Sequence, residues 1–189
     1  MATFQSPGII LKKTDRGEFD QLFNIYCEKK GKIVALGRGT KKIQSKLNGN
    51  LQQFGIINLM IANGKNYDHI ASAQLVENFS GIKKDFKKII LASFSLELVE
   101  KLTKPGQGEP KVFILLKRFL EAVNNNSLSD REWRVVLQAF VTKLLSILGF
   151  QPSADVAADI KKLDKFLKKH LDSQLQTEKF LVKMLPLTI

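Results

Sequence analysis

The spacing of apolar residues changes abruptly near residue 80, and this change most constrains how the chain can fold. Before it, short β-branched and apolar runs alternate with Gly, Asn, Asp and Lys, which is typical of β-strands. From Gly81 onward, apolar residues recur every three or four positions, as on one face of an amphipathic helix. The pattern predicts an α+β protein with a β domain at residues 1–80 and an all-α helical domain at residues 81–189.

Five strands are predicted in the first part, separated by turn signals such as Asn63-Gly64-Lys65. They cover Gly8–Lys13, Glu18–Cys27, Lys32–Gly37, Gln53–Ala62 and Tyr67–Glu77. One longer connection separates the third strand from the fourth. Five short strands with this spacing favour a five-stranded OB-fold β-barrel, and a small open sheet is the alternative.

The second part is predicted to contain five helices. The first runs from Gly81 to about Thr103, where Lys104-Pro105-Gly106 interrupts the pattern. The others are expected over residues 112–123, 129–149, 160–171 and 175–184. The helix at 129–149 is the most apolar, and we expect it to be central.

Several classes of function are disfavoured by what the sequence lacks. The single cysteine, Cys27, and the two histidines, His69 and His170, are too few and too scattered for a zinc site or a cysteine–histidine nucleophile pair. No phosphate-binding loop of the P-loop type occurs, and no apolar run is long enough to span a bilayer. We expect a cytoplasmic protein that is not an enzyme and needs no metal or cofactor.

The charge distribution points to a polyanionic partner. The chain has 30 Lys and Arg residues against 18 Asp and Glu, for a formal net charge of +12. Segment 29–46 alone carries seven basic residues and no acidic one. Several independent cations along one strand and its loop suit a phosphate backbone, because each can pair with a phosphate and release counterions. A solvated surface loop is the alternative, but the overall charge favours nucleic acid.

Aromatic side chains beside such a segment could stack on bases. Phe23 lies in an apolar run, and we expect Phe19 and Phe23 in the core. Tyr26 and Tyr67 are the candidates for exposed stacking positions.

An ordered set of short motifs resembles the RecO family of bacterial recombination mediators. In the first part these are Gly8-Ile9-Ile10-Leu11-Lys12, Asp15-Arg16-Gly17-Glu18, Gly31-Lys32-Ile33-Val34-Ala35 and Gly37-Arg38-Gly39-Thr40-Lys41-Lys42. In the second part they are Phe94-Ser95-Leu96-Glu97-Leu98, Leu148-Gly149-Phe150-Gln151-Pro152 and the closing stretch from Lys169 to Leu181. Each motif is weak alone, but their shared order over most of the chain makes the combination fairly specific.

The resemblance implies a nucleoid-associated DNA repair protein with an OB-fold domain and a helical domain. Such proteins bind single- and double-stranded DNA and anneal complementary strands without ATP. With RecR, they load recombinase onto DNA coated by single-stranded-DNA-binding protein. DNA contacts would then fall on Lys32, Arg38, Lys41, Lys42 and Lys46. The acidic C-terminal tail of single-stranded-DNA-binding protein would dock on Lys117, Arg118, Arg131 and Arg134, near Phe113 and Trp133.

One departure from the family pattern concerns metal. Many members carry a cysteine-rich zinc-binding insertion after the Leu-Gly-Phe-x-Pro motif, whereas Ser153–Lys169 contains no cysteine in this chain. The sequence therefore predicts no zinc. A basic OB-fold protein that binds structured RNA or ribosomes remains the alternative function, and a hydrolase that uses Cys27 is a distant third.

Overall fold

The computed structural model describes residues 3–184, which form five strands followed by helices. The strands are β1 (Thr3–Arg16), β2 (Asp20–Cys27), β3 (Gly31–Gly37), β4 (Gly55–Ala62) and β5 (Asp68–Asn78). A short 3₁₀ helix (Ile82–Lys84) precedes α1 (Phe86–Leu102), α2 (Pro110–Asn125), α3 (Asp130–Ile147), α4 (Ala154–Ala158), α5 (Ile160–Lys168) and α6 (Glu178–Met184). The predicted α+β class is confirmed.

The strands close into a barrel in the order β1-β2-β3-β5-β4, with β4 paired back to β1. Four of the five strand pairs are antiparallel, whereas β3 and β5 run parallel. This is the arrangement of an OB fold, so the open-sheet alternative is wrong. Closure depends on the length of β1, which pairs with β4 through Thr3–Gly8 and with β2 through Gly8–Arg16.

The barrel interior is filled by alternate residues of the strands, since successive side chains point to opposite faces. They are Ile10, Phe23, Ile25, Cys27, Ala35, Leu51, Ile57, Leu59, Ile61 and Ile70. Leu51 comes from the long connection at residues 38–54 rather than from a strand, so this connection is anchored in the barrel core.

The helices begin at residues that satisfy free backbone N–H groups. Asp85 accepts hydrogen bonds from Lys87 N and Lys88 N at the start of α1. At the start of α3, Ser129 and Glu132 form a reciprocal capping box. The last predicted helix begins later than expected. Leu175 packs in the core, as its apolar character suggests, but it precedes α6, which begins at Glu178.

A second core joins the helices to the barrel. It combines Ile9, Leu11, Tyr26 and Ile56 from the strands, and Phe54 from the connection before β4, with most of the buried helical residues. Tyr26 is fully buried in this core, and its hydroxyl donates to Glu109 O at 3.0 Å. The expectation that Tyr26 is exposed for base stacking is therefore wrong: helical packing covers this side of β2.

Among residues 3–184, no helix has both the length and the apolar character needed to cross a membrane.

Candidate nucleic-acid interface

The basic segment predicted from sequence, residues 29–46, runs from the β2–β3 turn through β3 into the first half of the connection at residues 38–54. Arg38, Lys41, Lys42 and Lys46 are all exposed there. The connection has turns but no strand or helix, so backbone contacts must hold these cations in place. The structure thus puts four of the five predicted DNA contacts on one surface segment.

The start of this connection is fastened to the turn between β1 and β2. Gly39 N donates to Asp20 Oδ1 at 2.7 Å, and Lys41 N donates to Phe19 O at 3.0 Å. The buried Thr40 hydroxyl donates to Gln21 Oε1 at 3.2 Å. Gly39 has a φ of +60°, a conformation in which glycine is favoured because it has no Cβ. These contacts give Arg38, Lys41 and Lys42 a defined position.

Lys41 also makes an ion pair across this junction. Its Nζ lies 2.9 Å from Asp15 Oδ2, and Gln21 donates to the other carboxylate oxygen. The hydrogen bond from Lys41, followed by that from Gln21, lowers the pKa of Asp15. The pair is exposed, so solvent screens it and it stabilises the fold little. Lys41 therefore remains available to a phosphate that competes with Asp15.

Lys32 lies on β3, outside the connection, and its burial argues against the expectation that it contacts phosphate. It is only 8% exposed, and its Nζ donates to Thr103 O at 3.1 Å and to Glu100 O. Its Nζ also lies 3.4 Å from the Glu100 carboxylate. Lys32 points outward from β3, but the end of α1 covers that position. This lysine ties the barrel to the helices.

Two aromatic residues lie at the same end of the barrel as these cations. Phe19 in the β1–β2 turn is 43% exposed, so placing it in the core was wrong, whereas Phe23 is buried as expected. Lys42 Nζ lies 5.0 Å from the centre of the Phe19 ring. Tyr67, in the β4–β5 turn, is half-buried, and Arg16 Cζ lies 4.6 Å from its ring centre.

We call these residues the turn-end cluster: Arg16, Phe19, Arg38, Lys41, Lys42 and Tyr67. Arg16 and Tyr67 bring the β1–β2 and β4–β5 turns together, and these are the two loops that bind oligonucleotides in many OB folds. Cations held over accessible rings suit single-stranded nucleic acid, which pairs its phosphates and stacks its bases. Sequence reasoning missed Arg16 and Phe19, because a turn motif does not show which side chains meet across the barrel.

Cys27 has the opposite character to a reactive nucleophile. It is fully buried inside the barrel, and burial, with a smaller contribution from Asp68, raises the pKa of its thiol to about 12. Only the thiolate is strongly nucleophilic. The residue acts as an apolar filler of the barrel, and the structure gives no support to a hydrolase that uses it.

The thiol of Cys27 is expected to resist alkylation in the folded protein. At pH 8 its thiolate fraction should be roughly a thousandfold below that of an unperturbed cysteine, because the pKa is about 12 rather than 9.0. Iodoacetamide labelling followed by intact mass should be slow in buffer and fast in urea. Equal labelling rates in the two conditions would contradict the burial of this side chain.

The four cations predicted to bind a partner tail do not form one site. Lys117 and Arg118 line a hollow between α2 and the barrel, where Lys117 Nζ lies 3.1 Å from Glu77 Oε2. Arg134 instead lines an apolar groove between α3, α5 and α6, and Arg131 is exposed on α3. Phe113 and Trp133 are both buried. The four side chains therefore do not converge: Lys117 and Arg118 line one hollow and Arg134 lines another.

Within the described part of the chain, no three His, Cys, Asp or Glu side chains are grouped as ligands for a metal ion. His69 and His170 lie in different parts, on β5 and just after α5. His170 packs between the rings of Phe150 and Phe166, with centroid distances of 4.5 and 4.6 Å. It therefore contributes to helix packing.

Comparison with known proteins agrees with the order of motifs in the chain. The family described as recombination protein O, N terminal, matches residues 1–79, and its C-terminal counterpart matches residues 83–164. The DNA repair protein RecO of Caldanaerobacter subterraneus subsp. tengcongensis is 30% identical over 158 residues, which cover 84% of this chain and 63% of that protein. The RecO protein of Gloeothece citriformis is 31% identical over 150 residues, covering 79% and 53% respectively.

The RecO protein of Moorella thermoacetica is 30% identical over 155 residues, covering 82% of this chain and 56% of that protein. The matched region thus spans between 53% and 63% of the length of these three relatives. Both family regions occur in the expected order and together cover most of the chain. The chain therefore belongs to the RecO family.

Proposed function

We propose that this protein is a DNA repair mediator that binds single-stranded DNA and anneals complementary strands. The observation that carries this proposal is the turn-end cluster, in which exposed cations and accessible aromatic rings occupy one end of a closed OB barrel. We propose further that residues 1–80 hold the DNA and residues 81–189 contact protein partners.

Annealing requires that two polyanions approach each other while their bases still search for the correct register. Exposed lysine and arginine side chains lower the repulsion between strands, because they replace condensed counterions at the phosphates. Phe19 and Tyr67 offer surfaces on which bases stack without sequence preference. No nucleotide hydrolysis is needed, since pairing of the strands supplies the free energy.

The partners proposed from the family are RecR and the C-terminal tail of single-stranded-DNA-binding protein. The apolar groove that Arg134 lines suits an acidic tail ending in an aromatic residue, because leucines and valines of α3, α5 and α6 would take the ring. Arg134 would face the acids of the tail, whereas Lys168, which also lines the groove, is paired with Asp164 and Glu178. Through these contacts the protein would help load recombinase onto coated DNA in the cytoplasm, at the nucleoid. Double-stranded DNA would be held through its phosphates.

The test is the annealing of two complementary labelled oligonucleotides over a range of salt concentrations, without nucleotide or metal. Wild-type protein should accelerate annealing, and the triple variant Arg38→Ala/Lys41→Ala/Lys42→Ala should lose most of this acceleration. Loss of three phosphate contacts should also reduce the dependence of log Kd on log salt by roughly 2 for single strands. These residues are exposed, so the variant should unfold at the same urea concentration as the wild type.

A matched control removes three other exposed lysines, Lys161, Lys165 and Lys169, with the same change in net charge. None of them has an ion-pair partner among residues 3–184. If this control slows annealing as much as the triple variant, net charge rather than the turn-end cluster is responsible. If the wild-type protein anneals nothing but binds structured RNA tightly, the RNA-binding alternative replaces the proposal.

A further inference from the structure

Two lysines from different parts of the chain converge at the far end of the connection at residues 38–54. Lys13 of β1 donates from Nζ to Leu51 O at 2.5 Å. Lys83, in the 3₁₀ helix after the barrel, donates from Nζ to Gln52 Oε1 at 3.1 Å. Leu51 and Gln52 are consecutive residues, so both lysines are bonded to one short stretch of the connection. Lys83 is exposed, whereas the ammonium group of Lys13 is partly covered, with its Nζ 5.9 Å from the centre of the Phe23 ring.

Neither lysine has an acidic partner within the described part of the chain. Neighbouring lysines differ in this respect: Lys87 forms an ion pair with Asp130, and Lys41 pairs with Asp15. Burial, and then the charge of Lys83, lower the pKa of Lys13. Two like charges held together without a carboxylate attract an anion from solution, because an anion relieves their mutual repulsion.

The position of this pair relates it to the turn-end cluster. Lys13 and Asp15 are two residues apart on β1, so their side chains leave the same face about 6.6 Å apart. Asp15 holds Lys41, and Lys13 and Lys83 are bonded to the consecutive residues Leu51 and Gln52. A row of cations therefore follows this face of β1, from the β1–β2 turn to the first residues after the barrel.

We propose that Lys13 and Lys83 form a second phosphate-binding point, which extends the path of one DNA strand from the turn-end cluster across the junction between barrel and helices. The proposal rests on the proposed function, because it assigns a route to the same ligand. A strand on this route contacts both parts of the protein and is held at two points. Its bases between these points stay free to pair with a second strand.

The experiment measures the binding of fluorescent oligodeoxythymidylates of increasing length to wild-type protein and to Lys13→Ala/Lys83→Ala. Thymidylate is used because it has little secondary structure to compete with binding. The double variant should bind long oligonucleotides roughly tenfold more weakly at 0.1 M salt, and its salt slope should be lower by about 1.4. Its affinity should also stop rising at a shorter oligonucleotide length, because the second contact point is gone.

Two further variants keep the result interpretable. Lys13→Arg/Lys83→Arg retains both charges, so it should restore the wild-type salt slope. Lys83→Ala alone leaves the bond from Lys13 to Leu51 intact and should lower the slope by about 0.7. Lys161→Ala/Lys165→Ala is the charge-matched control, and it should bind like the wild type.

The inference is overturned if Lys13→Ala/Lys83→Ala keeps the wild-type slope and length dependence while Arg38→Ala/Lys41→Ala/Lys42→Ala loses affinity. In that case the proposed function stands and only the second point fails. If the wild-type protein shows no salt-dependent binding to thymidylate at any length, the proposed function fails and this inference fails with it.

Discussion

Alanine at Gly31 is expected to reduce the free energy of unfolding by about 4 kcal/mol, because it adds a steric clash to backbone strain. Gly31 has a φ of +68°, which disfavours any residue with a Cβ. A Cβ there would also lie 2.4 Å from Gln107 O and 2.6 Å from Gly108 Cα. Both are backbone atoms of the connection between α1 and α2, so relief would require the helices to move away from the barrel.

Gly17→Ala separates the two causes. Gly17 has a similar φ of +70°, but a Cβ there would meet nothing within 4 Å. It should therefore cost only about 1 kcal/mol, from backbone strain alone. Urea unfolding followed by the fluorescence of the buried Trp133 measures both variants. If Gly17→Ala and Gly31→Ala lowered the free energy of unfolding equally, the connection between α1 and α2 would not pack closely against Gly31.

Replacing Lys32 with alanine should cost about 3 kcal/mol of stability. The change leaves the Glu100 carboxylate, which is 15% exposed, without its cation, and it removes the donor to two backbone oxygens. A buried charge that loses its partner is costly because its hydration is not restored. Lys29→Ala is the matched control, since Lys29 is nearby but exposed, and it should change stability by less than about 0.5 kcal/mol.

DNA binding distinguishes this structural role from a phosphate contact. At a temperature where Lys32→Ala is still folded, its affinity for single-stranded DNA should have the same salt slope as the wild type. A slope reduced by about 0.7, with little loss of stability, would instead mean that Lys32 pairs with phosphate. Lys32→Met removes the charge but keeps most of the apolar volume of the side chain. Its salt slope for DNA binding should therefore also equal that of the wild type if Lys32 has only a structural role.

Local patterns in the sequence were enough to predict the class of fold. Strands and helices each have a short period, and the switch from one to the other shows in the residues themselves. Turn glycines and helix caps such as Ser129 with Glu132 are equally local. The basic segment was visible for the same reason: an exposed loop keeps its charges exposed when no neighbouring element covers it, as Arg38, Lys41, Lys42 and Lys46 show.

Predictions about individual side chains failed where a distant part of the chain covers or uncovers a position. Tyr26 and Lys32 sit on outward positions of β2 and β3, which would be exposed in an isolated barrel, but α1 and the segment after it cover them. Phe19 is an aromatic residue that would ordinarily be expected in a core, yet it lies in the β1–β2 turn, where it is 43% exposed. The four helical cations do not converge, because Lys117 and Arg118 on α2 line one hollow, Arg134 on α3 lines another, and Arg131 is exposed.

Residue order and short-range patterns were sufficient for the α+β class, the order of the strands and of the longer helices, the family and the loop that carries the exposed cations, whereas the short α4 was not predicted. The surroundings of each charge depend instead on the folded chain, which buries Lys32 against Glu100, places Arg16 over Tyr67 and bonds Lys13 and Lys83 to the consecutive residues Leu51 and Gln52. The physical reason is that burial and charge pairing depend on contacts between residues far apart in the chain. Such contacts exist only once the barrel has closed and the helices have packed against it.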